Sequence, residues 1–314
     1  MTARRTYWHL EPQRRKPTAY EIASSRLLYH PERGFEVATP LAAWYAQHQQ
    51  GSPLRCRDWD AFADPRQTTY ASYVEQQHRR ETYVDGLLAA IDATGYDQRL
   101  APAWLPALER VLAPLRYPCH GLQMAAAYVG HMAPSGRIAI CAALQAGDEI
   151  RRVQRLAYRM RQLQETHATF GAASKQVWQG DELWQPLRKL IEQLLVAYDW
   201  GEAFTALQLV VKPAFDTLFV SQLGDTAAAH GDEVLAKILL SLGEDCAWHR
   251  AWSGALVAHA LADEPANAAP LRGWIERWRG PALAAVQPFA ALFELPGLAA
   301  RVDEAWQHAW RAVP

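Results

Sequence analysis

The sequence lacks a charge excess of either sign and a disulfide framework, and no apolar run in it approaches the span of a membrane helix. Lys and Arg total 32 against 33 Asp and Glu, a net charge of −1 over 314 residues. Without a net field the chain has no general means of recruiting nucleic acid or an anionic membrane, and neither is expected as a partner. The four cysteines Cys56, Cys119, Cys141 and Cys246 have no CxxC spacing. That excludes a paired-cysteine zinc site and suits a reducing cytoplasm better than an oxidising compartment. There is no glycine-rich phosphate loop, no dinucleotide fingerprint, no short-period repeat and no Ser-His-Asp arrangement. The first residues carry charge with no apolar core behind them, so a cytoplasmic location is expected.

What remains is abundant apolar material. Half of the residues are apolar, with 13 Trp, 12 Tyr and 8 Phe, enough for one large core or two modest ones. Residues 1–55 read differently from the rest. Basic clusters at Arg4-Arg5 and Arg14-Arg15-Lys16 alternate with Tyr7, Trp8, Tyr20, Tyr29, Phe35, Trp44 and Tyr45, while Pro12, Pro17, Pro31, Pro40 and Pro53 break up long helices. Such a segment is expected to be an extended arm laid on its own bundle or on a neighbour. Thr18 and Glu21 have the spacing of a capping box for a short helix. Residues 56–314 are expected to form a helical domain.

Helical periodicity fills that second part. A helix is predicted from the Asp64–Tyr70 stretch to about Ala93 with Gly95 as its stop, then short helices over 103–116 and from His120 to Met132. A long helix follows from Arg137 to about Glu165. On it Ala142, Ala146, Glu149, Val153, Leu156, Met160 and Leu163 share one stripe, which points Glu149 at the core. Asp181 starts the next helix, which ends near Tyr198. Another runs from Gly201 to Ala229 with an interruption at Pro213, and its stripe of Leu209, Asp216, Val220 and Leu223 sends a second carboxylate inward. Gly231-Asp232 opens a helix to Asp263 whose stripe includes Leu242, Cys246, His249 and Ser253. Beyond Pro265, prolines divide short helices bearing Trp274, Trp278, Trp306 and Trp310.

Two of these helices each carry half of a di-iron pattern. Helix-bundle di-iron proteins take a Glu and a His three residues later from each of two helices, plus a lone carboxylate from each of two others. Here Glu149 is followed by Arg152, a permanent cation without a lone pair to donate. His249 is preceded by Cys246 where a carboxylate belongs. The donor count is therefore Glu149, Asp216 and His249, and the helix around Leu122 and Gln123 supplies no carboxylate. The one Glu-x-x-His in the chain, Glu75 and His78, lies among polar neighbours and reads as a solvated face. Glu149 and Arg152 read as a buried ion pair, with a guanidinium replacing the metal charge and able to bridge Glu149 and Asp216. The expectation is an all-α, ferritin-like bundle with its metal site erased: no catalytic, cofactor-binding or metal-binding residue in this chain.

The stretches Arg5-Thr6-Tyr7-Trp8-His9, Pro17-Thr18-Ala19-Tyr20-Glu21, Asp64 through Tyr73-Val74, Trp184-Gln185-Pro186-Leu187-Arg188 to Tyr198-Asp199-Trp200, and Glu244-Asp245-Cys246-Ala247-Trp248-His249 carry a resemblance. The chain resembles the β subunit of the hydroxylase component of bacterial multicomponent monooxygenases, in the toluene and alkene branch. It is more distantly similar to the catalytic α subunits of those complexes. Their two iron-binding Glu-x-x-His motifs correspond to Glu149 with Arg152 and to Cys246 with His249, and their lone carboxylates to Leu122 or Gln123 and to Asp216. The departures imply a non-catalytic paralogue that scaffolds α. The resemblance further implies a hydroxylase built from two copies each of α, β and γ. In it the di-iron centre of α inserts one oxygen atom from O2 into an aromatic ring or alkene. Electrons would come from NADH through a flavin and iron-sulfur reductase and a Rieske ferredoxin, and a small effector protein would couple their use to hydroxylation. The alternatives are a stand-alone ferritin-like di-iron oxidase using Glu149, Asp216, His249, Glu75 and His78, the phenol or alkene monooxygenase branch of the same family, and an unrelated self-associating bundle.

Overall fold

The computed structural model describes residues 15–25, 40–92 and 94–314. The expectations placed on Arg4-Arg5, Tyr7, Trp8, Tyr29, Phe35 and Ala93 lie outside the described residues. Among the described residues the chain is all α: α1 (Ala19–Ser24), α2 (Pro40–Tyr45), α3 (Tyr70–Asp92), α4 (Trp104–His131), α5 (Gly136–Thr166), α6 (Ser174–Gly180), α7 (Gln185–Leu194), α8 (Trp200–Ala229), α9 (Glu233–Asp263), α10 (Ala268–Val286), α11 (Phe289–Leu292) and α12 (Leu298–Ala309). Antiparallel α4 and α5, together with α8 and α9, form the ferritin-like core.

The predicted ends are set by side chains that satisfy orphan backbone groups. Thr18 and Glu21 form both arms of the capping box on α1. Ser135 caps α5 and Asp232 caps α9 through Leu235 N–H. Gly95 follows α3 at φ 59, a left-handed conformation that glycine adopts without strain. Asp181 is not the cap of α7 that its position predicts: Trp184 is the N-cap, the helix ends at Leu194 and not near Tyr198, and Asp181 instead binds Arg110 through paired hydrogen bonds of 2.7 Å.

One predicted helix break also needs correction. The break expected between helices over 103–116 and 120–132 is absent, and α4 runs unbroken through Pro114 and Pro118. A proline at position i leaves the carbonyl at i−4 without its partner. Here Trp184 Nε1–H donates to the freed Arg110 carbonyl at 3.0 Å, so that carbonyl is not left unpaired. The same device operates in α8, where Pro213 frees Leu209 O and Trp310 Nε1–H donates to it at 2.7 Å. Trp306 Nε1–H reaches Val210 O at 2.8 Å. The interruption at Pro213 takes the form of π-helical stretches, Ala206–Val211 and Thr217–Gln222, within one continuous helix.

The α8 helix corrects a further reading. By length and composition it could cross a membrane, yet 94% of its apolar window is buried within the protein. It is the central core helix, wrapped by α5, α9, α10 and α12. Near the amino end, Tyr20 is buried and its hydroxyl accepts from Asp64 N–H at 2.9 Å. Trp44 Nε1–H donates to Tyr128 of α4 at 3.2 Å. The described parts of residues 1–55 thus pack on this chain's own helices.

Candidate functional site

The centre of the bundle is charged. Along facing stripes of α5 and α8, spaced three or four residues apart, side chains meet in register as a ladder. Gln145 and Gln208 exchange amide hydrogen bonds at 2.7 and 3.3 Å. One turn on, Lys212 Nζ donates to Glu149 Oε1 at 2.5 Å and lies 3.3 Å from Asp216 Oδ2. On the next turn Arg152 Nη1 donates to Asp216 Oδ1 at 3.1 Å and faces Glu149 Oε2 at 3.3 Å. The third helix, α9, closes the cluster: Arg152 Nη2 meets Cys246 Sγ at 2.7 Å, and Trp252 Nε1–H donates to Gln145 at 3.1 Å. All of these side chains are buried.

The expected bridge by Arg152 between Glu149 and Asp216 is present. Sequence reasoning missed Lys212, the second cation, although a signal exists: Lys212 and Asp216, four residues apart, are the sole charges between Ala203 and Gly224. Burial works against the Lys212 ammonium, but Asp216 and Glu149 outweigh it and raise its pKa above the usual lysine value. Burial likewise opposes ionisation of Asp216, yet Lys212 and Arg152 hold its carboxyl below the ordinary range. Burial pushes the Cys246 thiol up to about 12, so it remains protonated at neutral pH.

His249 turns partly away from this cluster. Its Nε2 lies 2.9 Å from Asp148 Oδ2, while Nδ1 lies 4.0 Å from Glu149 Oε1 and has no hydrogen-bond partner. Burial, reinforced by Lys212 and Arg152, drives its pKa well below the usual histidine value, which makes it a neutral imidazole. Asp148 also accepts from Tyr73 and Gln77 of α3 at 2.8 and 2.6 Å. Burial and the nearby Asp245 push its carboxyl well above the ordinary range. Beyond it Asp245 pairs with Arg80 and with Arg151 Nη1, the latter at 2.6 Å. Asp148, Asp245, Arg151 and Lys212 were all absent from the sequence-derived donor count.

The remaining candidates fall elsewhere. Glu75 and His78 are exposed on α3, with Glu75 paired to Arg79. Leu122 is fully buried among apolar side chains and Gln123 is partly buried. Neither is a carboxylate, so α4 brings no anionic ligand to the centre.

A pair of iron ions does not fit this arrangement. The lone pairs of Glu149 and Asp216 are directed at two cations, and a guanidinium stands at the position where an imidazole would donate. The Cys246 thiol contacts that guanidinium. Among the Glu149, Asp216, Cys246 and His249 side chains, Glu149 Oε2 and His249 Nδ1 are left without hydrogen-bond partners, far short of four carboxylates and two imidazoles. Among the described residues, no three His, Cys, Asp or Glu side chains converge in a metal-binding group. The charge sum of Glu149, Asp216, Lys212 and Arg152 is already zero, so added dications would have no counter-charge.

Fold and cluster together define the class: a ferritin-like bundle whose internal ion position is taken by its own lysine and arginine. The family model of methane, phenol and alkene hydroxylases matches residues 44–264, and the chain belongs to that family. It is 39% identical to the toluene-4-monooxygenase system hydroxylase component subunit beta of Ectopseudomonas mendocina, over 88% of this chain and 86% of that protein. It is 27% identical to the phenol 2-monooxygenase oxygenase component DmpL of Pseudomonas sp. strain CF600, over 83% of this chain and 79% of that one. A structure of toluene 4-monooxygenase with toluene bound in its resting active site superposes with a TM-score of 0.88 at 37% identity, covering 94% of this chain and 99% of the matched chain.

Proposed function

We infer that this chain is the β subunit of the hydroxylase component of a toluene-4-monooxygenase-type system, and that it scaffolds a catalytic partner without doing chemistry itself. The observation that carries the non-catalytic part is the seating of Lys212 and Arg152 between Glu149 and Asp216. A site neutralised from within is fixed by folding and needs no metal. The identity of 39% to a toluene-system β subunit, against 27% to a phenol-system component, favours the toluene branch.

On this reading no residue of the chain is catalytic, cofactor-binding or metal-binding. The di-iron centre belongs to an α subunit, which inserts one oxygen atom from O2 into an aromatic hydrocarbon or alkene. Electrons originate from NADH and arrive through flavin and iron-sulfur components, including a Rieske ferredoxin, and an effector protein acts on the complex. The chain assembles with α and γ, two copies of each, in the cytoplasm, with neither nucleic acid nor membrane as partner. Residues 56–314 are the ferritin-like body, and residues 1–55 are an arm whose described parts lie on that body and which adds to the surface offered to α. Its role is mechanical: a rigid, internally neutral bundle holds the α helices in place.

The test is a co-expressed hydroxylase carrying the charge-neutral pair Glu149→Gln with Lys212→Met. Toluene hydroxylation per iron is expected to equal that of the wild-type complex. Loss of turnover with assembly and iron content intact would assign chemistry to this chain and defeat the reading.

A further inference from the structure

One face of α9 remains open, and three clefts follow one another along it. The first, of about 720 Å³, lies between α9 and the carboxyl-terminal part of α8. It shares Val220, Ser221 and Gly243 with a second of about 410 Å³. The second shares Arg250 and His308 with a third of about 440 Å³ beside α12. From Glu233 to Gly254 this is one groove, about 30 Å long at the helical rise of 1.5 Å per residue.

The two ends of the groove differ in chemistry. At the first end small residues such as Gly224 and Ala236 alternate with Asp225, Glu233, Lys237 and Glu244, and Leu240 stands 70% exposed. At the other end Arg250, Arg301 and Arg311 gather with His308. No carboxylate forms an ion pair with any of these three arginines among the described residues, whereas the arginines of α5 that face α3 and α8 are all paired. At that end Glu304 is the one acid without an ion pair among the described residues, since Asp216 on the floor is already matched by Lys212 and Arg152; Asp225 and Glu233, likewise without an ion pair, lie at the other end. The basic end is therefore left with excess positive charge in a chain that is otherwise balanced.

We propose that this groove receives an apolar helical segment of the catalytic α subunit, whose acidic end is held by Arg250, Arg301 and Arg311. The inference rests on the β-subunit reading and adds to it the place and polarity of docking. Charge complementarity selects an acidic terminus, the small walls admit a helix at close range, and about 30 Å matches a helix of about 20 residues. Leu240 supplies an apolar anchor at the end away from the arginines.

The experiment uses the co-expressed complex with a photo-reactive amino acid placed at Leu240 or, separately, at Ala309. Both positions are expected to cross-link to one α segment, with its Asp and Glu residues nearer the Ala309 product. In parallel, Arg301→Glu with Arg311→Glu is expected to reduce recovery of α on a tagged chain by about tenfold or more, and Arg301→Lys with Arg311→Lys to restore it. Recovery of α at the wild-type level with cross-links elsewhere would overturn the groove and leave the β-subunit reading standing. Cross-links solely between two copies of this chain, or to the effector, would also overturn it. Failure of the wild-type chain to recover any α subunit would defeat the β-subunit reading itself.

Discussion

Replacing Arg152 with methionine isolates the central energetic feature of the fold. The side chain is 3% exposed and contacts Asp216 at 3.1 Å, Glu149 at 3.3 Å and Cys246 at 2.7 Å. In the Arg152→Met protein, Glu149 and Asp216 share Lys212 alone, leaving one uncompensated negative charge in the core. Breaking a buried pair from one side costs about 3–5 kcal/mol, a large part of a typical stability of about 5–15 kcal/mol. Asp216→Asn leaves one uncompensated positive charge and should cost a similar amount. The double variant restores neutrality, because Lys212 and Glu149 remain paired at 2.5 Å. Its loss should fall short of the sum by about 2–3 kcal/mol, the coupling expected for groups in direct contact. Urea unfolding followed by tryptophan fluorescence measures all three. A single-variant cost under about 1 kcal/mol, or additivity within about 0.5 kcal/mol, would refute the argument that charge balance holds this cluster together.

Other consequences are accessible to simpler measurements. Trp310→Phe removes the indole donor to Leu209 O, exposed by Pro213; thermal unfolding should show a loss of about 1–3 kcal/mol, and no change would mean another group satisfies that carbonyl. Gly121→Ala places a Cβ 2.3 Å from Ile191 Cγ2 where α4 meets α7, so calorimetry should show about 1–3 kcal/mol of overpacking, partly relieved by Ile191→Leu. Asp216 titrates below its usual 3.8 in the folded chain. Its stabilisation is thus complete above the unfolded value and is lost as pH falls through the folded one. The stability difference between wild type and Asp216→Asn should be flat above about pH 5 and shrink in stronger acid. A difference that instead grew on acidification would reverse the assigned sign.

Much of this architecture was legible because long helices write their core faces into the sequence. The 4,3 stripe carrying Glu149 and the stripe carrying Cys246 and His249 both point inward as their spacing predicts, and Arg152 bridges Glu149 and Asp216. Less legible was anything set by groups distant in sequence. The break expected between 116 and 120 is absent, and nothing near Pro114 in the sequence records that Trp184, 70 positions later, binds the carbonyl this proline frees. Asp148 and Asp245 lie about 100° around their helices from the stripe residues beside them, so a single-stripe count overlooked them. They meet Gln77, Arg80 and Arg151 across three helices. Lys212 was within reach, since a lone lysine four residues before a lone aspartate in an apolar helix is best explained as a pair. The basic end of the α9 groove brings together residues of α9, α12 and the last residues of the chain, an assembly no local pattern records.

The most direct test of the central claim is the iron content of this chain, expressed without α, incubated anaerobically with ferrous iron and freed of unbound metal. Two side-chain cations neutralising Glu149 and Asp216 predict essentially no bound iron, in the wild type and also in Arg152→His, which adds an imidazole but leaves Lys212 in place. About two irons per wild-type chain would show that the cluster opens to metal, and would contradict both the internal charge balance and the non-catalytic role built on it.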